Sequence, residues 1–388
     1  MNRIHLCAGV VTAIFILCIP VGAWDMNEMW SEGIGGEIKS VSISPEGSYI
    51  AVGTASVGGL HLYSRDGEHL WTHPTGCSVF GSAVSSDGEY IVMGSEYVRV
   101  FNLEGEIEWQ WDSGYFAYSV AITPDGAYIA VGSDDKSVTL LEYGEGKIWR
   151  YELPDDPTCV DLSADGQYVV AGTDGQVYLL DGDGELVWEI DVGKGVQSVA
   201  IAPDGTSIAA GTLDYRSHLI SKEGEILWRY MTNNRVFGVA LSENGDVVTG
   251  SHDDHLYIIN GDGDRILETE TSGHINDVDV SSDGSVVVAG TGNGDQHLIL
   301  YERATQEMTE PEPTEPEPTA VIETIENIGE NVSEELTAST MPAAAVKEES
   351  YLSLKFTGLT DTASPLYALA AGIVVIASAA YLGHRRRR

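Results

Sequence analysis

The stretch of sequence that decides the fold runs from Gln176 to Thr212 and reads QVYLLDGDGELVWEIDVGKGVQSVAIAPDGTSIAAGT. It holds two kinds of turn: an Ala-x-Asp-Gly turn that ends at Gly205, and an Asp-Gly pair whose Gly184 is followed four residues later by Trp188. Both turns recur before and after this stretch. The glycines of the first turn stand 38 to 41 residues apart, at Gly47, Gly88, Gly126, Gly166, Gly205, Gly245 and Gly284.

The second turn provides an independent count with the same spacing. Its aromatic position is occupied by Trp30, Trp71, Trp109, Trp149, Trp188 and Trp228, and then by Leu267. Within one repeat, alternating apolar residues bounded by Asp-Gly and Glu-Gly pairs predict four short strands, which we name a (198–202), b (206–212), c (177–181) and d (185–190). Four short strands repeated about every forty residues predict an all-β, seven-bladed β-propeller.

Two details of the repeat predict how the blades pack and how the ring closes. In strand a, the residues seven and five positions before each repeat glycine are mostly small, so neighbouring inner strands can approach closely. Trp30 precedes any strand a, b or c of its own, whereas the last repeat, residues 276–303, lacks a strand d. We therefore expect residues 27–31 to form the outer strand of the last blade, which removes a free sheet edge.

The segments around the repeats predict export and anchoring. Residues 1–23, with a basic start, an apolar run and a small-residue end, read as a signal peptide ahead of a propeller over 24–305. Residues 306–365 are rich in Pro, Glu and Thr and predict an extended stalk. Residues 366–383 predict one transmembrane helix, and the basic tail 384–388 marks its cytoplasmic side. The expected location is the cell membrane, single-pass, with the propeller extracellular.

Charge narrows the possible partners. Residues 24–308 carry 48 acidic and 13 basic residues, and the acids occur in every repeat. Such a surface repels nucleic acid and attracts cations, so we expect no nucleic-acid partner and possible cation binding. Adaptation to a salt-rich exterior would produce the same composition.

Several repeats resemble a known family. Residues 177–190 (VYLLDGDGELVWEI) and 218–230 (HLISKEGEILWRY) are similar to the repeats of pyrroloquinoline-quinone-like propellers. In that family a Gly-x-x-x-Trp closes each blade by docking its indole on the next blade. The positions that match it are Gly67/Trp71, Gly105/Trp109, Gly184/Trp188 and Gly224/Trp228. Residues 163–172 (SADGQYVVAG) are equally similar to WD repeats, and the tail resembles the C-terminal anchors of archaeal surface proteins.

The resemblance leaves three classes of function, because propellers host many unrelated activities. A surface-anchored binding or scaffolding module is the favoured interpretation, with a membrane contact through the C-terminal helix. A quinoprotein-like oxidoreductase is an alternative, but the enzymes of that family usually have eight blades, and the chain has no vicinal cysteine pair. A structural envelope or adhesion component is the other. We therefore expect no enzymatic activity and no cofactor.

One position per repeat predicts a ligand site. Eight residues before each repeat glycine, at the entrance to strand a, the chain has Lys39, Phe80, Tyr118, Thr158, Gln197, Phe237 and Asn276. The other strand-a positions keep their type between repeats, whereas these seven, named the entrance ring below, change from cation to aromatic to amide. Three aromatic rings beside polar groups would suit an extracellular protein, peptide or glycan, unless the rings only plug the channel.

Overall fold

A computed structural model shows the arrangement of residues 26–55, 58–112, 114–292, 294 and 296–304. These residues form seven antiparallel sheets of four strands each, arranged as the blades of a propeller. In six blades the four strands follow one another along the chain, whereas the seventh has the order β1-β28-β27-β26. The all-β, seven-bladed propeller predicted from the repeat is confirmed.

The strands of each blade, given from the innermost to the outermost, have the following bounds. They are β2 (Ile38–Ile43), β3 (Tyr49–Thr54), β4 (Leu60–Ser64) and β5 (His69–His73) in blade 1; β6 (Gly81–Val84), β7 (Ile91–Gly94), β8 (Val98–Phe101) and β9 (Ile107–Trp111) in blade 2; β10 (Ala117–Ile122), β11 (Tyr128–Ser133), β12 (Ser137–Glu142) and β13 (Gly146–Glu152) in blade 3; β14 (Cys159–Leu162), β15 (Tyr168–Gly172), β16 (Gln176–Asp181) and β17 (Leu186–Asp191) in blade 4; β18 (Val196–Ile201), β19 (Ser207–Thr212), β20 (Arg216–Ser221) and β21 (Ile226–Met231) in blade 5; β22 (Val236–Leu241), β23 (Val247–Ser251), β24 (His255–Ile259) and β25 (Arg265–Glu270) in blade 6; and β26 (Ile275–Val280), β27 (Val286–Thr291), β28 (His297–Arg303) and β1 (Met26–Gly33) in blade 7. A 3-10 turn at Ser86–Gly88 separates β6 from β7.

The ring closes through the first strand, as predicted. β1 pairs antiparallel with β28, from Met26 opposite Arg303 to Gly33 opposite His297. Trp30 lies in this strand, and its indole Nε1 donates a hydrogen bond of 2.7 Å to the carbonyl of Arg65 in blade 1. The chain ends of the propeller are therefore joined both by a β-ladder and by a contact to the first blade.

The same tryptophan contact ties most blades to the next. Trp71 donates to the carbonyl of Leu103 at 2.8 Å, and Trp188 donates to that of Lys222 at 2.7 Å. Each indole lies over the glycine of the neighbouring turn: a Cβ at Gly105 would be 2.9 Å from the Trp71 ring. Trp109 packs against Tyr143 in blade 3 instead, where the turn before Trp149 is one residue shorter.

Small residues let the inner strands approach, as the repeat pattern predicts. A Cβ added at Gly81 would lie 2.8 Å from the backbone of Val120 in blade 3, and one at Gly238 would lie 2.6 Å from that of Val278 in blade 7. Any larger side chain at these two positions would push neighbouring blades apart. The core consequently consists of apolar layers between successive sheets rather than one central cluster.

The flanking segments lie outside the described residues. This applies to the predicted signal peptide (1–23), stalk (306–365), transmembrane helix (366–383) and basic tail (384–388). Among the residues that the structure does describe, none forms a helix with the length and apolar character needed to span a bilayer.

Candidate functional site

The inner strands of all seven blades surround a central channel with a volume of about 1260 Å³. All seven residues of the entrance ring line this channel. The structure thus brings together the positions that the repeat spacing singled out, although their role in binding remains a prediction.

A β-bulge presents the entrance ring to the channel. In five blades the strand pairing shifts around the ring residue, as between Ile38 and Ser40 or between Val236 and Gly238, so the ring residue is the extra one of the bulge. The residue just before it is buried, for example Val236, against which a Cβ at Gly211 of the preceding blade would clash at 2.6 Å. Bulges of this kind redirect a side chain out of the sheet pattern.

The polar members of the ring are mostly engaged in holding blades together. The Thr158 hydroxyl donates to the carbonyl of Val196 in blade 5 at 2.5 Å. The Asn276 amide donates to the carbonyl of Ile38 in blade 1 at 2.9 Å. Lys39 forms an ion pair of 2.8 Å with Glu37 on its own strand approach. These contacts give Thr158 and Asn276 a structural task and leave the aromatic members as the better candidates for ligand contact.

Three aromatic side chains form a cluster at the entrance between blades 2 and 3, which we name the aromatic cluster: Phe80, Phe116 and Tyr118. Their ring centroids lie 5.6 to 5.7 Å apart, and Phe80 meets both partners edge to face. Phe80 is 37% exposed, and Phe116 and Tyr118 are half-buried. The ring therefore does not form a closed plug at this point, because a plug would bury these rings completely.

Phe237 belongs to a different arrangement, between blades 6 and 7. Its ring stacks on His252 with centroids 3.7 Å apart, and His252 stacks in turn on His274 at 4.9 Å. His252 Nε2 lies 3.2 Å from Asn276 Oδ1, and His274 Nδ1 lies 2.6 Å from an oxygen of Asp254. The third predicted aromatic is thus held in a column of rings rather than beside Phe80 and Tyr118.

No acid stood out in the sequence as a site residue, but the structure places three aspartates on the channel wall. Asp161, Asp277 and Asp279, named the channel carboxylates below, occupy strand-a positions that are mostly small in other blades. That departure from the repeat was the available signal. Each accepts hydrogen bonds from two backbone N–H groups, and one of the two lies on the next blade.

These bonds satisfy donors that the innermost strand of a blade would otherwise leave unpaired. Asp277 accepts from the N–H of Val41 at 2.9 Å, and Asp279 accepts from that of Ile43 at 2.8 Å, so both join blade 7 to blade 1. In other blades a serine takes the same place, as Ser119 does for the N–H of Val160. The carboxylates therefore reinforce ring closure on the channel side.

The environment of the channel carboxylates favours their protonated form. Burial raises the pKa of Asp161 to about 7 and that of Asp277 to about 8, against the opposing effect of their backbone hydrogen bonds. Burial likewise raises the pKa of Asp279 to about 6. The charge of Asp279 also raises the pKa of Asp161, three blades away, which places both groups in one shared field.

The raised pKa of Asp277 predicts a stability cost at high pH. Because this pKa is higher in the folded than in the unfolded chain, its contribution is fully present below the unfolded value and is lost as pH rises through about 8. In Asp277→Asn we expect a shallower fall of stability between pH 5 and 9, by on the order of 2 kcal/mol, a figure discounted for solvent screening in the open channel. Urea unfolding at several pH values measures it; the exposed Asp183→Asn should keep the wild-type slope, and equal slopes in all three proteins would contradict the prediction.

Two acidic motifs of the sequence have turn roles. The Asn260 side-chain oxygen accepts the N–H groups of Asp262 and Asp264, and Asp181 does the same for Asp183 and Glu185. Within the described ranges, no group of three or more His, Cys, Asp or Glu side chains is placed to hold a metal ion.

Comparison with known protein families agrees with this architecture. Residues 54–210 match the family described as outer membrane protein assembly factor BamB, and residues 146–304 match a family of unknown function. No curated protein matches the chain. Both matches begin and end within the run of blades, as expected when any series of similar repeats can align. Residues 54–210 of this seven-bladed propeller are therefore BamB-like repeats of the pyrroloquinoline-quinone-like type.

Proposed function

We propose that the protein is a cell-surface binding or scaffolding module whose propeller holds an extracellular protein or peptide at the channel entrance. The observation that carries the proposal is the aromatic cluster, with Phe80 37% exposed at the rim of a channel of about 1260 Å³. Exposed aromatic side chains beside a concave surface are typical contacts for ligands and partner proteins. The match to BamB supports the same class, because that family is described as an assembly factor and such propellers are usually non-enzymatic.

A triple substitution tests the site. Phe80→Ala, Tyr118→Ala and Phe237→Ala together should abolish retention of the partner from solubilised surface material by the immobilised full-length chain. The free energy of unfolding should fall by only about 1–2 kcal/mol, because Phe80 is partly exposed and the stack of Phe237 on His252 is the main interaction that the substitutions remove. Retention is measured by mass spectrometry, and stability by urea unfolding.

Leu227→Ala serves as the control, because Leu227 is 53% exposed on β21, away from the channel lining. It should retain the partner as the wild type does. Undiminished retention by the triple variant would refute the site. A decrease of about 3 kcal/mol or more in the free energy of unfolding for each aromatic residue would instead indicate that the rings fill a core.

The charge of the channel argues against the quinoprotein alternative. Pyrroloquinoline quinone is a tricarboxylate, whereas eight of the described residues that line the channel are acidic and one, Lys39, is a lysine. That lysine is already paired with Glu37. The residues present therefore do not fit this cofactor, and we assign no redox step to the channel.

The proposal includes the predicted location, with the propeller outside the cell on a stalk. Protease added to intact cells should release a propeller fragment by cutting between Thr309 and Pro365, while the terminal segment 385–388 stays protected. Immunoblotting with antibodies against the propeller and against the tail follows both pieces. A propeller that resists release until the cells are lysed would contradict the extracellular placement.

A further inference from the structure

We propose, on the basis of the binding function above, that the entrance selects a basic peptide segment. A Lys or Arg side chain would enter the channel, and an adjacent apolar side chain would pack on the aromatic cluster. The occupant is thus a peptide with a cationic residue next to an apolar one, rather than a glycan or an acidic segment. Three features of the described residues support this choice.

The first feature is the aromatic cluster. Phe80, Phe116 and Tyr118 lie within 5.7 Å of one another, and at least Phe80 keeps more than a third of its surface exposed. Exposed ring faces attract both apolar side chains and cations. The cluster therefore suits a segment that combines the two.

The second feature is the unneutralised charge below the cluster. None of the ion pairs among the described residues involves the channel carboxylates, whose partners are backbone N–H groups. Among the described residues of the channel wall, the one lysine is held by Glu37 at 2.8 Å. A lined cavity with one sign of charge concentrates counter-ions, so the channel is complementary to an ammonium or guanidinium group.

The third feature is the space between the two. Beneath Phe80 the wall of blade 2 consists of Gly81 and Ala83, which carry no side chain longer than a methyl group. Asp279 stands three residues deeper along strand a than the entrance ring, or about 10 Å at about 3.3 Å per residue. A long cationic side chain inserted beside the aromatic cluster can therefore approach the carboxylates without displacing protein atoms.

The test uses two labelled peptides of equal length, acetylated and amidated at their ends, one with alternating Phe and Lys and the other with each Lys replaced by Gln. Binding to the full-length chain is measured by fluorescence anisotropy. We expect the Lys peptide to bind at least tenfold more tightly than the Gln peptide. Phe80→Ala/Tyr118→Ala should weaken both peptides, whereas Asp161→Asn should weaken only the Lys peptide, about fivefold or more. Asp279→Asn is the second variant if Asp161→Asn does not fold.

Asp183→Asn is the matched control, because it removes one charge from an exposed turn outside the channel lining and should leave both affinities unchanged. Equal loss of affinity in Asp183→Asn and Asp161→Asn would show general attraction to an acidic surface and overturn the inference. Tight binding of the Gln peptide that the aromatic double variant abolishes would overturn the choice of a cation but preserve the proposed function. Peptide binding that ignores the aromatic substitutions would overturn both, and failure of the Lys peptide to bind would overturn the inference alone.

Discussion

Deletion of residues 26–33 should lower the free energy of unfolding by about 5 kcal/mol and the melting temperature by roughly 10 °C. These residues form β1, the outer strand of blade 7, and their loss uncovers the edge of β28, whose Leu298 and Leu300 are fully buried. The deletion also removes the hydrogen bond from Trp30 to Arg65, which ties blade 7 to blade 1. Urea unfolding and calorimetry of the full-length chain measure the change.

The matched control deletes eight residues, 309–316, from the predicted stalk, which should leave the unfolding transition of the propeller where it is. The channel-side bonds from Asp277 and Asp279 to blade 1 remain in the β1 deletion, so we expect a weakened ring rather than an unfolded one. A deletion variant that melts within about a degree of the wild type would show that β1 does not contribute to closure.

The second large effect should come from His218 as the pH falls. Its imidazole is completely buried in β20, and burial lowers its pKa to about 4. Because this pKa lies below that of the unfolded chain, its contribution is fully present above about pH 6.5 and is lost as pH falls to about 4. The shift corresponds to about 3 kcal/mol.

His218→Leu should remove this dependence, because leucine does not titrate. Relative to the variant, the wild type should lose about 3 kcal/mol between pH 7 and pH 4 in urea unfolding experiments. The control is His69→Leu: His69 is exposed on β5, so this substitution should keep the wild-type slope. Parallel pH profiles for wild type and His218→Leu would show that the folded protein accommodates a charged imidazole at this position.

Features that depend on neighbours in the chain could be predicted in detail. Turn chemistry and alternation predict strand b at 206–212, and the structure has β19 at Ser207–Thr212; strand d at 185–190 corresponds to β17 at Leu186–Asp191. A regular repeat also fixes the blade number, because every blade copies the same local unit. Even the closure by residues 27–31 followed from counting which repeat lacked a strand.

The candidate site was predictable only as a set of positions. The entrance ring was found because repeats align its seven members, but the spacing does not tell which side chains meet. Folding separates Phe237, stacked on His252, from Phe80 and Tyr118, and engages Asn276 with the carbonyl of Ile38 in another blade. These outcomes depend on contacts between residues as far apart as 238 positions in the chain.

The channel carboxylates illustrate the physical limit most clearly. In the sequence, Asp277 and Asp279 are two more acids in a chain with 60, and the pattern assigns them only a register within strand a. Their burial, their bonds to Val41 and Ile43 and their raised pKa values arise when the ring closes and the first and last inner strands become neighbours. Hydrophobic periodicity and turns are local, so the chain encodes blades in any order of folding. Desolvation and charge coupling are collective, so the chemistry of the channel exists only once seven blades enclose it.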